Sequence, residues 1–128
     1  MGKKFANTIV IDNSLSIETM LEYLASIQVV VPNSEEVCDY LSRYPDIIEL
    51  VILACEETRS RFLLSTQLSL ELYRDPEIDD QYLTLYVRQE KYEKNIMDII
   101  EEIQSIYIDK LVDKIGYFLL TTDFQFPK

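Results

Sequence analysis

Four carboxylates lie within one short polar segment of the chain, residues 74–80: Asp75, Glu77, Asp79 and Asp80. Carboxylate oxygens are the ligands that Mg²⁺ and Ca²⁺ prefer in proteins. The segment therefore raises the alternative of a metal-dependent phosphodiesterase or nuclease that uses loop 75–80.

Two metal-binding templates fail on this segment. An EF-hand starting at Asp75 would have Asp80 where glycine is required and Tyr86 where a bidentate glutamate is required. A nuclease core with an acid-x-Lys motif on a strand finds no lysine in Glu71-Leu72-Tyr73. The default interpretation is a solvated hairpin turn, and we predict neither a metal nor a cofactor.

Several residues and motifs that catalytic sites commonly use are absent from the sequence, and their absence excludes several classes of enzyme. The sequence has no histidine, which removes histidine-dependent triads and zinc–histidine sites from consideration. It has 2 glycines, so it contains neither a P-loop nor a GxGxxG motif for phosphate. No GxSxG motif is present either. We therefore expect a protein without enzymatic activity.

A second set of candidate residues alternates along residues 67–88. It consists of three tyrosines and two flanking charged residues: Glu71, Tyr73, Tyr82, Tyr86 and Arg88. Tyrosine and arginine are enriched in the hot spots of protein interfaces. Cross-strand tyrosine pairs also stabilise a sheet without any partner. Both interpretations remain open at this point.

These residues recur at every second position, which is the spacing expected for two strands that each turn one face towards solvent. Apolar residues alternate with the polar set on both sides of the break at 74–80: Leu68, Leu70 and Leu72, then Leu83, Leu85 and Val87. Strict alternation predicts strands, and the Pro76 break predicts that they form an antiparallel hairpin over 67–88.

The remaining elements follow from helical periodicity and capping signals. We predict helices at about 16–27, 33–44, 46–63 and 93–114, and a C-terminal strand at 116–122. Asn33 and Asp46 are predicted N-caps, each with a glutamate three residues later, and Gly116 is the predicted C′ residue of the last helix. The prediction is a single α+β domain over residues 1–128, with a three-stranded sheet covered by helices. Its order is α-α-α-β-β-α-β, and residues 1–15 form a short strand or an arm.

The last helix carries more apolar surface than one sheet contact requires. Its apolar arc spans roughly 200° because four further apolar residues widen it: Met97, Ile99, Ile106 and Ile108. An acidic stripe follows the opposite side: Asp98, Glu102, Asp109 and Asp113. Like charges at helical spacing cost some helix stability, and a basic partner would offset this. This helix and the wet face of the hairpin are the predicted interfaces.

The net charge limits the class of partner, and the cysteines indicate the cellular compartment. The formal net charge is −11, which disfavours direct binding to nucleic acid. Cys38 and Cys55 lack metal-binding spacing, and the chain opens without an apolar signal sequence or membrane span. A cytoplasmic protein with reduced thiols and no membrane contact is the expectation.

The run LSLELYRDPEIDDQYLTLYVRQ and the ending GYFLLTTDFQFP resemble a group of small acidic bacterial proteins to which no function is attached. Small acidic proteins of this kind resemble antitoxins or other accessory subunits of two-gene modules. The predicted function is a protein–protein interaction module that masks a basic partner or self-associates, as a homodimer or as a heteromeric subunit.

Overall fold

The computed structural model describes residues 13–128, with side chains from residue 17, and its fold is α+β as predicted. Residues 1–12 of the predicted strand or arm lie outside the described residues. The elements are α1 (Asn13–Ser26), β1 (Val29–Val30), α2 (Ser34–Arg43), a 3-10 turn (Pro45–Ile47), α3 (Ile48–Arg61), β2 (Gln67–Asp75), β3 (Asp80–Arg88), α4 (Ile96–Leu111) and β4 (Phe118–Thr121).

The predicted hairpin is confirmed. β2 and β3 pair antiparallel over their whole length, with Leu70 opposite Leu85 and Tyr73 opposite Tyr82. The apolar side of both strands is buried, because the helices form one continuous core with it. Since side chains alternate between the two faces of a strand, the polar set must lie on the other, outer face.

The sheet has four strands in the order β1-β2-β3-β4, so the predicted three-stranded sheet and its element order are wrong. β1 pairs parallel with β2, and β4 pairs parallel with β3. The Val29–Val30 strand escapes prediction because two residues are too few to show an alternating pattern. Its extended backbone before Pro32 is the only local signal.

The C-terminal strand is Phe118–Thr121, shorter than the predicted 116–122. The N–H groups of Gly116 and Tyr117 donate to the side chains of Asp46 (3.3 Å) and Tyr40 (3.0 Å) instead of joining the ladder. The strand therefore begins only after these two residues.

One predicted N-cap is confirmed and the other is wrong. The side chain of Asn33 accepts the N–H of Glu36 at 3.3 Å and caps α2. Asp46 lies in the 3-10 turn, and α3 begins after it without a side-chain cap. The Asp46 carboxylate instead accepts the N–H of Ile115 at 2.6 Å, which ties the segment after α4 to the start of α3.

Gly116 does not terminate α4 as predicted, since the helix ends at Leu111 and Gly116 does not have a positive φ. A Cβ at Gly116 would lie 2.7 Å from the Cβ of Tyr44. Glycine is needed here for close approach between two segments.

α3 is apolar around most of its circumference, and α1 and α4 pack on it. Leu50 of α3 is buried. No helix in residues 13–128 is long and apolar enough to span a bilayer.

Candidate protein-binding surface

Three tyrosines meet on the outer face of the sheet near the hairpin turn. The Tyr73 and Tyr82 rings are 5.1 Å apart, and the Tyr82 and Tyr117 rings meet edge to face at 5.4 Å. Tyr73 is 37 % exposed and Tyr117 is 44 % exposed, whereas Tyr82 is half-buried between them. We call this group the tyrosine cluster. It leaves aromatic surface open to solvent.

The register of the sheet builds the tyrosine cluster. Tyr73 and Tyr82 are direct cross-strand partners, which the alternating pattern predicted. Tyr117 was missed, because it precedes β4 and reaches Tyr82 only through the parallel pairing of β4 with β3. Sequence alone does not reveal that these two strands are neighbours.

Two carboxylates border the tyrosine cluster at the base of the turn. Asp75 and Asp80 are direct cross-strand partners, and neither forms an ion pair within the described residues. Like charges placed opposite each other destabilise a sheet. This position therefore carries a repulsion that an external cation would relieve.

The pKa of the Tyr82 hydroxyl shows the effect of this environment. Partial burial raises the pKa above its ordinary value, and Tyr73, Asp80, Tyr117 and Asp75 raise it further. Asp80 and Asp75 are the charged groups among these, and their carboxylates make the local potential negative. Negative potential beside open aromatic faces favours an ammonium or guanidinium group.

Arg88 and Glu71, both predicted interface residues, are used inside the protein. The Arg88 side chain is 1 % exposed, and its guanidinium donates to Glu71 at 2.9 Å and to Asp123 at 2.8 and 3.1 Å. Burial lowers the pKa of Arg88, but the hydrogen bonds to Asp123 and Glu71 outweigh it and raise the pKa. The guanidinium also lies 4.5 Å from the centre of the Tyr86 ring. We call Arg88, Glu71 and Asp123 the arginine cluster.

The C-terminal tail closes the arginine cluster. Asp123 follows β4, and the backbone of Lys128 exchanges two hydrogen bonds with the side chain of Gln67, at 2.7 and 3.0 Å. The hydroxyl of Tyr92 donates to the C=O of Gln125 at 2.6 Å between these points. The tail therefore holds one end of the outer face, which leaves the tyrosine cluster as its open end.

The predicted acidic stripe is exposed but partly neutralised, and its last member, Asp113, lies after the end of α4 and not on the helix. Glu102 pairs with Arg61 of α3 at 2.7 Å. Asp109 and Asp113 border a groove of about 750 Å³ between α3 and α4, together with Lys110 and Lys114. Met97, Ile106 and Ile108 remain between 40 and 45 % exposed on the flanks of α4. α3 and β4 cover the rest of its wide apolar arc.

The carboxylates of the hairpin turn do not converge. Asp75 accepts the N–H of Glu77 at 3.0 Å, and Asp79 adopts a positive φ of 54° that closes the turn. Across residues 13–128, no group of three or more potential ligands is placed to hold a metal ion. The nuclease alternative thus has no metal centre in this part of the chain.

No family model matches the chain, and no curated protein or solved structure is significantly similar to it. The resemblance to small bacterial proteins stays a prediction.

Proposed function

We propose that this chain is a non-enzymatic protein-binding module whose tyrosine cluster receives a cationic side chain from a basic partner. The observation that supports this best is the opposed pair Asp75 and Asp80 beside three partly exposed rings. A guanidinium or ammonium bound there would cancel the repulsion between the two carboxylates. It would also lie against aromatic faces, which attract cations.

The charge of the whole chain favours the same class of partner. A net charge of −11 attracts a basic protein over long range and accelerates encounter. The exposed members of the acidic stripe on α4 add to this field. We propose an accessory or antitoxin-like subunit that masks a basic partner, and we place it in the cytoplasm because both cysteines are free thiols.

Calorimetric titration with hexaarginine, and with hexaglutamate as a negative control, tests the proposal. Tyr82→Ala should weaken hexaarginine binding about threefold to tenfold, the range expected for loss of a cation–π contact. The double variant Asp75→Asn/Asp80→Asn should weaken it more than Asp98→Asn/Asp113→Asn, although both remove the same charge. Equal losses in the two double variants would mean that hexaarginine senses only net charge, and would refute the site.

Thermal unfolding provides a second test, because one substitution should raise stability while it weakens binding. Because Asp75 and Asp80 repel each other in the unbound protein, Asp80→Asn should raise the melting temperature while it weakens binding. A variant that loses both stability and binding would indicate a structural role for Asp80, contrary to the proposal.

A further inference from the structure

The C-terminal tail, residues 123–128, lies on the outer face of the sheet but is not part of it. None of its residues belongs to a helix or a strand. Its first residue, Asp123, is bonded to Arg88 at 2.8 and 3.1 Å. Its last residue, Lys128, is bonded to Gln67 at 2.7 and 3.0 Å. Each of these contacts involves a side chain, so the tail is not held by a ladder of backbone hydrogen bonds.

The tail buries little apolar surface. Phe124 is 58 % exposed and Phe126 is 71 % exposed. The Phe124 ring lies 5.1 Å from the ring of Tyr92. A groove of about 540 Å³ opens beside the tail, lined by two of its residues and by two residues that precede α4: Phe126, Pro127, Glu90 and Lys91. Since burial of apolar surface is the main stabilising contribution in a fold, polar contacts supply most of what holds the tail in place.

A strained turn lies at the start of the tail. Phe124 has a φ of 57°, in the left-handed region that bulky side chains rarely adopt. The N–H of Phe124 donates to the hydroxyl of Thr122 at 3.1 Å. The N–H of Gln125 donates to Oδ1 of Asp123 at 3.1 Å, and the same oxygen accepts from Nε of Arg88. One carboxylate therefore both closes the strained turn and fastens it to the sheet.

Arg88, beneath the tail, has the geometry of a carboxylate receptor. Its Nε and Nη2 each donate to one oxygen of Asp123, which is the parallel pair of bonds typical of arginine–carboxylate recognition. Its Nη1 donates to Glu71 at 2.9 Å, and its guanidinium lies 4.5 Å from the centre of the Tyr86 ring. Neither of these last two contacts involves the tail, so both keep Arg88 in place when the tail lifts.

We propose that the tail opens as one unit and that Arg88 then binds a carboxylate side chain of a partner protein in place of Asp123. In the free chain the site is occupied by the chain's own carboxylate, so the tail is an autoinhibitory segment. The partner's carboxylate restores the two hydrogen bonds that Nε and Nη2 of Arg88 lose when the tail lifts. The inference is independent of the tyrosine cluster, which lies at the other end of the outer face.

A carboxylate fits the opened site better than a phosphate does. Glu71 stays bonded to Arg88, so these two residues together carry no net charge. A phosphate group brings about two negative charges beside Glu71 at pH 7, whereas a carboxylate brings one. Repulsion by Glu71 therefore disfavours phosphate. The carboxylate is also the group that the site holds in the closed chain.

Amide hydrogen exchange on the full-length chain tests the opening of the tail. The N–H groups of Gln125 and Lys128 should exchange about tenfold faster than the amides of the β2–β3 ladder, or more, because local opening requires less free energy than global unfolding. Asp123→Asn should accelerate both by the same factor, about tenfold or more, although Lys128 is bonded to Gln67 and not to Asp123. Asp113→Asn, which removes the same charge after the end of α4, is the matched control and should leave both rates unchanged.

Two results of the exchange experiment overturn the proposal. Tail amides that are protected as strongly as the ladder amides would show that the tail opens only when the whole chain unfolds. Acceleration of Gln125 without Lys128 in the Asp123→Asn chain would show that the tail does not open as one unit.

A peptide with the sequence of residues 121–128, TTDFQFPK, is the probe for the opened site. It should shift the Nε–H signal of Arg88 in the ¹⁵N spectrum of the full chain, whereas the same peptide with asparagine in place of aspartate should not. Because only open chains bind the peptide, Asp123→Asn should raise its affinity by the same factor as the exchange rate of Lys128. Inorganic phosphate at matched ionic strength should not displace it.

Four outcomes of the peptide experiment contradict the proposal. They are equal binding of the two peptides, an affinity that Asp123→Asn leaves unchanged while it accelerates exchange, displacement of the peptide by phosphate, and a dimer that forms as the protein concentration rises. The dimer would assign the opened site to the tail of a second copy. None of these outcomes depends on Tyr73 or Tyr82, so this proposal and that of the tyrosine cluster fail separately.

Discussion

Asp123→Asn tests the arginine cluster with an isosteric change. The substitution removes one of the two carboxylates that neutralise Arg88, while Glu71 remains at 2.9 Å. Removing one partner of a fully buried ion pair costs about 3–5 kcal/mol, and a hydrogen bond to a charged group contributes about 1.5–3 kcal/mol. Asp123 is 30 % exposed and Arg88 keeps its second partner, so we expect a loss of about 2 kcal/mol.

For a chain of 128 residues, an unfolding entropy of about 2.1 cal/mol/K per residue converts this loss into a drop in melting temperature of about 7 °C. Scanning calorimetry at pH 7 measures it. Asp113→Asn, at an exposed carboxylate just after α4, is the matched control and should change the free energy of unfolding by less than about 0.5 kcal/mol.

The pH dependence of the free energy of unfolding tests the role of Asp123 independently. The hydrogen bond from Arg88 holds the pKa of the Asp123 carboxyl below its ordinary value. Its contribution to stability is therefore complete above the unfolded pKa of about 3.9 and disappears as pH falls through the lower folded pKa. The stability difference between wild type and Asp123→Asn should thus shrink below about pH 4. A difference that stays constant down to pH 2, or a melting temperature that falls no further in Asp123→Asn than in Asp113→Asn, would refute this account of Arg88.

Three further substitutions or reactions test the fold. Leu70→Asp buries an unpaired charge in the core and should leave the chain unfolded by circular dichroism, whereas Glu71→Asp on the opposite face should leave it folded. Gly116→Ala forces a Cβ to within 2.7 Å of Tyr44 and should cost about 1–3 kcal/mol in urea unfolding; an unchanged midpoint would mean that the two segments separate freely. Burial raises the pKa of both cysteine thiols, and Cys55 is fully buried, so a thiol reagent should modify Cys38 first and reach Cys55 only on unfolding; simultaneous modification in the folded state would contradict the packing of α3.

Local patterns in the sequence predict the hairpin and its inward-facing leucines correctly, because alternation over nine residues separates the two faces of a strand. The prediction that the outer face is wet is wrong in part, since Ser69, Thr84 and Arg88 on that face are each 1 % exposed. Val29–Val30 does not show such a pattern, and its role as the edge strand depends on pairing with Leu68 and Ser69 far along the chain. The same limit applies to Asp46, whose carboxylate bonds to Ile115 across 69 residues instead of capping its own helix.

The sequence predicts the residues of the candidate site that follow from local alternation, but not those that join it through long-range contacts. Tyr73 and Tyr82 follow from alternation, whereas Tyr117 joins them only through sheet order. Arg88 was expected at an exposed interface, because nothing near it in sequence indicates a second carboxylate. Its partner Asp123 lies 35 residues later in the C-terminal tail. Only the long-range pairing of Arg88 with Asp123 shows that Arg88 belongs to the closed arginine cluster and not to the exposed surface of the tyrosine cluster.

Mapping of backbone amide shifts can locate the surface of the chain to which a basic partner binds. Hexaarginine titrated into the ¹⁵N-labelled chain should shift the amides of residues 73–82 and of Tyr117 most, in a saturable manner. Tyr82→Ala should reduce these shifts. Shifts that are largest from Asp98 to Asp113, along α4 and the turn after it, or that spread evenly over the acidic surface, would show that hexaarginine does not bind at the tyrosine cluster.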